Sequence, residues 1–158
     1  MRVEEAAVLY NIPEQPAPGI IFNYLQSHTV NGRYFDIFKT ISNFRDEDIS
    51  DLMNINIKTF RKYKSEKSAL IKSNLLKEHV VTILALYKHG KDVFGDFDAF
   101  SNWLKKENFM FDNQPPAKYL ETISGIKFID DRLTGMQYGD NAWSWSFTGL
   151  LKRNMLIL

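Results

Sequence analysis

The sequence contains no cysteine, and this absence excludes a disulfide framework, a thiol nucleophile and a cysteine-ligated metal. Long apolar runs are also missing. No uninterrupted stretch reaches the roughly 18 residues that a membrane-spanning helix needs, so we expect no membrane association. No basic-then-apolar segment opens the chain, so we expect a cytoplasmic rather than a secreted protein.

Groups that could carry catalysis are scarce. The histidines are far apart and form no metal-binding spacing; they are His28, His79 and His89. No glycine-rich phosphate loop is present. The acidic run 46–51 falls at a predicted helix start, where the helix dipole favours carboxylates, and Asp130 and Asp131 point in different directions on a helix. The sequence therefore predicts no enzyme, no bound metal and no cofactor.

Apolar and aromatic residues, by contrast, are plentiful. Hydrophobic residues make up 44% of the 158 residues and aromatic residues 14%, which is enough for a folded core. Apart from ambiguous short segments, the apolar spacing is helical, and small residues fall at joints. We therefore predict an all-α protein made of one domain or two small ones.

Residues 46–64, with the sequence DEDISDLMNINIKTFRKYK, are typical of two short helices joined by a turn. Ile49, Leu52 and Met53 recur at three- and four-residue spacing, so they share one face of the first helix. Asn54 follows, and asparagine tolerates the left-handed conformation that ends a helix. Asn56 is a good N-cap for the second helix.

The second helix of this pair is expected to bury Phe60 and Tyr63 and to present a basic outer face. The residues expected to point outward are Ile57, Lys58, Thr59, Arg61 and Lys62. Two short helices at a steep angle match the helix-turn-helix geometry that places a helix in the DNA major groove. The alternative is an ordinary helical hairpin with a solvated basic face.

Local charge favours the DNA-binding interpretation. The segment 56–91 carries nine Lys and Arg against two Glu, a net charge of +7, although the whole chain has only +1. Cations there could neutralise phosphates and release counterions, and Lys58, Thr59 and Lys62 are best placed to reach base edges. The candidate DNA-binding residues are Asn56, Lys58, Thr59, Arg61, Lys62 and Lys64.

Apolar periodicity predicts helices on both sides of this pair. A helical stripe from Arg33 to Phe44 precedes it, and a long helix from about Ser73 to Lys88 follows. The segment 88–91, with cations and a glycine, is expected to end the long helix, and His89 is interpreted as part of that end. His79 is interpreted as a packed, hydrogen-bonded histidine rather than a metal ligand.

The C-terminal part contains three further predicted helices. Asp96 is expected to cap the first, FDAFSNWLKKE. Pro115 and Pro116 begin a short second helix that a Ser-Gly pair at 124–125 breaks, and the last helix runs from 126 to 138.

The two ends of the chain differ from the helical pattern. Prolines predict an extended arm or linker over residues 11–19. Residues 3–10 are compatible with one helical turn or a short docked strand, and residues 19–32 with either a short helix or a strand. Near the other end, Trp143, Trp145 and Phe147 alternate with small residues, which predicts an extended tail with three rings on one side. Such an apolar tail is expected to pack on this chain, on a second copy or on another protein.

Three features together resemble the Xre/MbcA/ParS-type antitoxins of bacterial type II toxin–antitoxin pairs. They are the helix-turn-helix with LMNINIKTFRKYK, the junction DVFGDFDAFSNWLKKEN, and the segment NQPPAKYLETISGIKFIDDRLTGMQYGD. The resemblance covers about residues 34–140.

This resemblance implies both a fold and a function. The fold is an N-terminal, Xre-like helix-turn-helix bundle followed by a small helical toxin-binding domain, here with an extended C-terminal tail. The implied partner is a RES-domain toxin, which has an ADP-ribosyltransferase-like fold and consumes NAD, and whose active-site cleft the antitoxin's C-terminal region covers. The helix-turn-helix represses the shared operon, and homodimers match palindromic operator DNA.

On this basis we expect a bacterial cytoplasmic antitoxin with its toxin-binding residues in the C-terminal part. The candidates are Lys118, Asp131, Arg132, Tyr138, Trp143, Trp145 and Phe147. The predicted divisions are an N-terminal arm and linker (1–32), a helix-turn-helix domain (33–91), a toxin-binding domain (92–140) and an apolar tail (141–158).

The chain departs from the family pattern at three places. Asn54 stands where the helical turn usually has glycine, Asn113-Gln114 replaces the usual small-Gly pair before the proline helix, and the chain continues for 19 residues after Gly139. Two other functions therefore stay open. One is a stand-alone dimeric helix-turn-helix regulator, and the other is an interaction module whose basic helix binds a protein instead of DNA.

Overall fold

A computed structural model of the protein describes residues 1–139. The predicted tail, with Trp143, Trp145 and Phe147, lies outside the described residues, so the extended conformation proposed for it stays a prediction.

The described chain is helical, which confirms the predicted all-α class. It forms α1 (Val3–Asn11), α2 (Pro18–Ser27), α3 (Arg33–Ser42), α4 (Asp46–Leu52), α5 (Ile57–Ser65), α6 (Asn74–Phe94), α7 (Phe97–Lys105) and α8 (Ile123–Tyr138), with 3₁₀ helices at Phe109–Phe111 and Pro116–Glu121. Between residues 1 and 139, β-structure is limited to isolated bridges, from Asn31 to Leu70 and from Asn108 to Gln114.

The longest helix, α6, runs through the centre of the molecule. Seven apolar side chains in its middle are fully buried: Val80, Val81, Ile83, Leu84, Ala85, Leu86 and Tyr87. These residues cover every side of the helix, which is the pattern of a helix without a solvent face. Helices α2, α3, α7 and α8 all pack against α6 and exclude water from it.

The predicted end of α6 is wrong. The sequence indicated a helix end at residues 88–91, but the helix continues to Phe94 and ends at Gly95, which has a φ of +96°. Gly90 has another purpose, because a Cβ atom at this position would overlap the ring of Phe100. The glycine lets α7 approach α6 closely. From the sequence, a glycine needed for close packing cannot be distinguished from one that caps the end of a helix.

Helix α3 connects the centre to the short helices that follow it. All six residues of its predicted apolar stripe are buried: Tyr34, Phe35, Ile37, Phe38, Ile41 and Phe44. Their rings contact partners on both sides, since Phe35 meets Phe60 of α5 at 5.7 Å and Phe38 meets Tyr87 of α6 at 5.6 Å between ring centroids. The predicted helix and its packing role are confirmed.

The proline-rich segment is a linker between two helices. Residues 12–17 are non-helical and join α1 to α2, and Pro18 lies in the first turn of α2, where its missing N–H costs nothing. Ile12, Ile21 and Tyr24 are buried. Residues 3–11 form more than the single helical turn that the sequence allowed for, because packing on α3 outweighs the weak local tendency to form helix.

A buried ion pair fastens α1 to the rest of the chain. Glu5 is 4% exposed, and its carboxylate accepts from the Arg2 backbone N–H and from Lys67 Nζ at 2.9 Å each. Lys67 Nζ also lies 2.6 Å from Asp36 Oδ2 on α3. The hydrogen bond from Arg2 and then the contact with Lys67 lower the pKa of Glu5 to about 2.

The predicted break at Ser124-Gly125 is also wrong. Helix α8 begins at Ile123, and the Thr122 side chain caps it by accepting from the Gly125 backbone N–H at 3.0 Å. Gly125 lies against the carbonyl of Tyr119, where a Cβ atom would clash. As at Gly90, the glycine allows close packing and does not interrupt the helix.

Buried residues from α2 through α8 form one continuous hydrophobic cluster. The predicted boundary between residues 91 and 92 falls inside α6, so both predicted domains share this helix. Over residues 1–139, no helix is both long and apolar enough to cross a membrane.

Candidate functional site

The candidate DNA-binding site is built on α4, α5 and the turn between them. The turn follows its predicted chemistry. Asn54 has a φ of 50°, in the left-handed region, and the side chain of Asn56 caps α5 by accepting from the Lys58 backbone N–H at 2.8 Å. Asparagine is one of the few residues besides glycine that adopts this conformation routinely, so the turn forms without a glycine.

The inner face of α5 holds the helix against α3. Phe60 is fully buried, and Tyr63 is half-buried with its ring centroid 5.5 Å from that of Phe35. Ile57, which was expected to point outward, is also partly covered. The outer face of α5 is therefore fixed by packing and does not depend on a ligand.

The outer face of α5 exposes Lys58, Thr59 and Lys62, the three residues expected to reach base edges. In the described part of the chain, no carboxylate lies within ion-pair distance of either lysine. These two cations are therefore available to an anionic partner.

Two other candidate residues on α5 are occupied by α4. Lys64 Nζ lies 2.7 Å from Asp46 Oδ2, and Arg61 Nη2 lies 3.2 Å from Glu47 Oε1. Asp46 also receives Arg61 Nε at 3.6 Å and Lys39 Nζ at 3.4 Å. The hydrogen bond from Lys64 is the main reason why the pKa of Asp46 is lowered.

Other cations of the +7 segment pair with carboxylates that precede it in the chain. Lys67 pairs with carboxylates of α1 and α3, and Lys88 Nζ lies 2.7 Å from Glu14 Oε1 in the loop between α1 and α2. Counting charges along the chain missed these pairs, because the acidic partners lie 31 to 74 positions away in sequence but adjacent in space. The basic segment is thus not one continuous basic face.

The first turn of α4 is acidic. It carries Asp46, Glu47 and Asp48, and Asp48 pairs with Arg45 at 2.9 Å. The start of a helix attracts phosphates through its free N–H groups and its dipole. Three carboxylates at this helix start oppose that attraction.

The second candidate site lies in α7, α8 and the segment between them. Asp96 caps α7 as predicted, accepting from the Ala99 backbone N–H at 2.7 Å. A continuous series of ring contacts then joins α6, α7 and α8, with centroid distances from 5.1 to 6.0 Å. Its members are Phe94, Phe100, Trp103, Phe111, Tyr119 and Phe128. Sequence analysis recognised some of these residues as apolar but did not connect them.

The loop at 108–114 contains two consecutive residues in the left-handed region. Asp112 has a φ of 54° and Asn113 a φ of 58°. Aspartate and asparagine pay a smaller penalty there than other residues with a side chain. The two left-handed residues therefore form the turn before Pro115 without a glycine.

A buried polar network ties α8 to α6, and sequence analysis missed it. His89 is 1% exposed. Its Nδ1 lies 2.5 Å from Asp130 Oδ1 and its Nε2 lies 3.1 Å from Gln137 Oε1. The interpretation of His89 as an ordinary helix-end cation was wrong, because α6 does not end there. His79 matches its prediction: it is buried, with Nε2 2.7 Å from the carbonyl oxygen of Leu120.

The candidate toxin-binding residues inside the described part of the chain lie on two surfaces. Lys118 is exposed and lines an open cleft with Asp51 of α4 and Lys105 of α7. On α8, Asp131 is exposed and pairs with Lys127 at 3.0 Å, Arg132 lies over the Phe128 ring, and Tyr138 is 75% exposed. Trp143, Trp145 and Phe147 lie outside the described residues.

Residues 89–139 match the family model of the antitoxin Xre/MbcA/ParS C-terminal toxin-binding domain. The match begins at His89 in α6 and ends immediately after α8, so it contains the ring series and the His89–Asp130 network. Over these residues it confirms the resemblance to Xre/MbcA/ParS-type antitoxins that the two C-terminal motifs indicated; the helix-turn-helix lies before the matched segment. No curated protein matches the chain.

The His89–Asp130 pair predicts how stability changes with pH. Burial alone would lower the pKa of His89, but the hydrogen bond and charge of Asp130 raise it above its ordinary value of 6.5. The pKa of His89 is thus higher in the folded protein than in the unfolded chain. The stabilisation that protonated His89 provides is therefore fully present below pH 6.5 and is lost as the pH rises through the folded-state pKa. The contribution of the His89–Asp130 pair to the free energy of unfolding of the wild type should therefore fall as the pH rises above 6.5.

Urea denaturation across this pH range checks the expectation. Asp130→Asn should remove the fall, whereas Asp131→Asn, the matched change at the exposed neighbour, should keep it. Parallel pH profiles for wild type and Asp130→Asn would show that His89 is not held protonated by Asp130.

Proposed function

We propose that this protein is an antitoxin that binds and neutralises a cognate toxin through its C-terminal helical segment. The observation that carries the proposal is the match of residues 89–139 to an antitoxin toxin-binding domain. The structure of that segment supports it, because the ring series and the buried network hold α7 and α8 rigidly. A rigid binding surface loses little entropy on association.

The resemblance suggests a RES-type toxin as the partner, with its active-site cleft covered by the C-terminal region. Steric covering needs large, desolvated anchors, and aromatic side chains dominate such interfaces. Tyr138 is exposed at the end of α8. Trp143, Trp145 and Phe147 follow it in sequence and are the proposed anchors, together with Lys118, Asp131 and Arg132.

Co-expression with the toxin encoded next to this protein tests the role of the tail. The full chain should restore growth and purify in complex with the toxin. A chain ending at Gly139 should lose the rescue because it lacks the aromatic anchors. Trp143→Ala/Trp145→Ala should weaken rescue in the same direction, and Tyr10→Ala, which removes an exposed aromatic ring from α1, serves as the matched control. Full rescue by the shortened chain would show that the tail is not the inhibitor.

We further propose that α5 binds operator DNA and represses the protein's own operon. The support is the exposed pair Lys58 and Lys62, the neighbouring Thr59, and the packing of Phe60 that fixes their direction. Arg61, Lys64 and Asn56 belong to the same proposed site. A homodimer would double the number of phosphate contacts and match a palindromic operator.

Operator binding across a salt series tests this second role. Lys58→Ala/Lys62→Ala should weaken binding, and it should flatten the plot of log affinity against log salt by about 0.9 per protomer for each of the two lysines that contacts a phosphate rather than a base edge. Lys72→Ala/Lys91→Ala is the matched control, because it removes two exposed lysines from the same segment but not from α5. Equal effects of the two double variants would reject α5 as the reading helix.

A specific observation favours one alternative. The acidic first turn of α4 repels phosphate, which fits an interaction module whose α5 surface binds a protein. Absence of any DNA binding at low salt would support that alternative. The third possibility, a stand-alone regulator whose C-terminal segment only dimerises, requires that the full chain fails to bind any toxin.

A further inference from the structure

The exposed side of α5 contains two groups of cations that differ in their surroundings. Lys58 and Lys62 face solvent, and the described chain offers them no carboxylate. Arg61 and Lys64 lie on the side that meets α4, where Asp46 and Glu47 hold them at 2.7 to 3.6 Å. When a polyanion approaches, Arg61 and Lys64 are therefore already paired with carboxylates, whereas Lys58 and Lys62 are exposed to it.

The carboxylate of Asp46 is the centre of the second group. Its side chain is 17% exposed and has Lys39, Arg61 and Lys64 within 3.6 Å. Partial burial reduces screening by water and salt, so this cluster is stronger than a surface ion pair. Glu47 is 57% exposed and, among residues 1–139, forms an ion pair with Arg61 alone, which makes that pair weak and easily exchanged.

DNA binding through Arg61 or Lys64 would require an existing ion pair to be broken or shared. A phosphate must compete with the carboxylate that each side chain already contacts, and that carboxylate then stays close to the phosphate and repels it. Counterion release is also reduced, because a cation that stays paired with Asp or Glu neutralises no phosphate and so displaces no counterion from the DNA.

We propose that Asp46 and Glu47 form an intramolecular brake on DNA binding by α5. Their carboxylates compete with phosphate for Arg61 and Lys64. Lys58 and Lys62 are therefore the cations that contact DNA first. This inference rests on the proposed DNA-binding function and adds a regulatory contact to that same site. It also predicts weak, shallowly salt-dependent binding by the wild-type protein.

A thermodynamic cycle on Glu47 and Arg61 tests the brake. The probe is a fluorescein-labelled, mixed-sequence DNA duplex of about 30 base pairs, and binding is followed by anisotropy between low and physiological salt. The proteins are wild type, Glu47→Gln, Arg61→Ala and the double variant, all as the full chain. Asp51→Asn is the matched control, because it removes one exposed carboxylate from the same helix but, among the described residues, releases no cation.

Glu47→Gln should bind several-fold more tightly than wild type, and its salt plot should steepen by up to about 0.9 as Arg61 becomes available to a phosphate. Arg61→Ala should change little in wild type but should abolish the gain in the Glu47→Gln background. Asp46→Asn should act in the same direction as Glu47→Gln by releasing Lys64, with helix content checked by circular dichroism.

Three results would count against the proposal in distinguishable ways. If Asp51→Asn raises affinity as much as Glu47→Gln, the effect is general charge repulsion and the brake is rejected. If Arg61→Ala costs as much affinity in wild type as in Glu47→Gln, Arg61 is not held back and the brake is again rejected. If neither wild type nor any variant binds the duplex at the lowest salt, the proposed DNA-binding function fails together with the brake.

Discussion

The burial of α6 on all sides is the constraint on which the rest of the structure depends. A helix with fully buried residues from Val80 to Tyr87 needs neighbours on every face, and α2, α3, α7 and α8 supply them. Helix α3 extends this core to α5, and α8 carries the end of the segment that matches the antitoxin domain. The two proposed binding surfaces are therefore parts of one packed unit, and the predicted domain boundary falls within their shared helix.

Features that depend on local chemistry could be predicted from the sequence. The apolar stripe of α3, the left-handed turn at Asn54 and the caps at Asn56 and Asp96 all have causes within a few residues. Features that depend on residues far away in the sequence could not be predicted in this way. The choice between helix and strand in α1 and α2 depends on their packing against α3 and α6. Gly90 and Gly125 looked like helix ends because a glycine that permits close packing has the same sequence signal as one that caps a helix.

The candidate sites show the same limit. Sequence analysis placed Lys58, Thr59 and Lys62 on an outer face, and they are exposed. It also included Arg61 and Lys64 among the DNA-binding candidates and did not indicate that carboxylates of α4 hold these two cations. The pairing of His89 with Asp130 spans 41 positions and had no local signal. Net charge by segment is therefore a weaker guide to a nucleic-acid surface than the ion pairs that the fold creates.

The central claim, that one core joins the α5 surface to the antitoxin segment, is tested most directly by native-state hydrogen exchange. If the claim holds, the most protected amides of α3, near Phe38, and of α8, near Ile129, should exchange through the same global opening with the same free energy and denaturant dependence. The claim is contradicted if α8 exchanges through a separate opening that leaves the α3 amides protected.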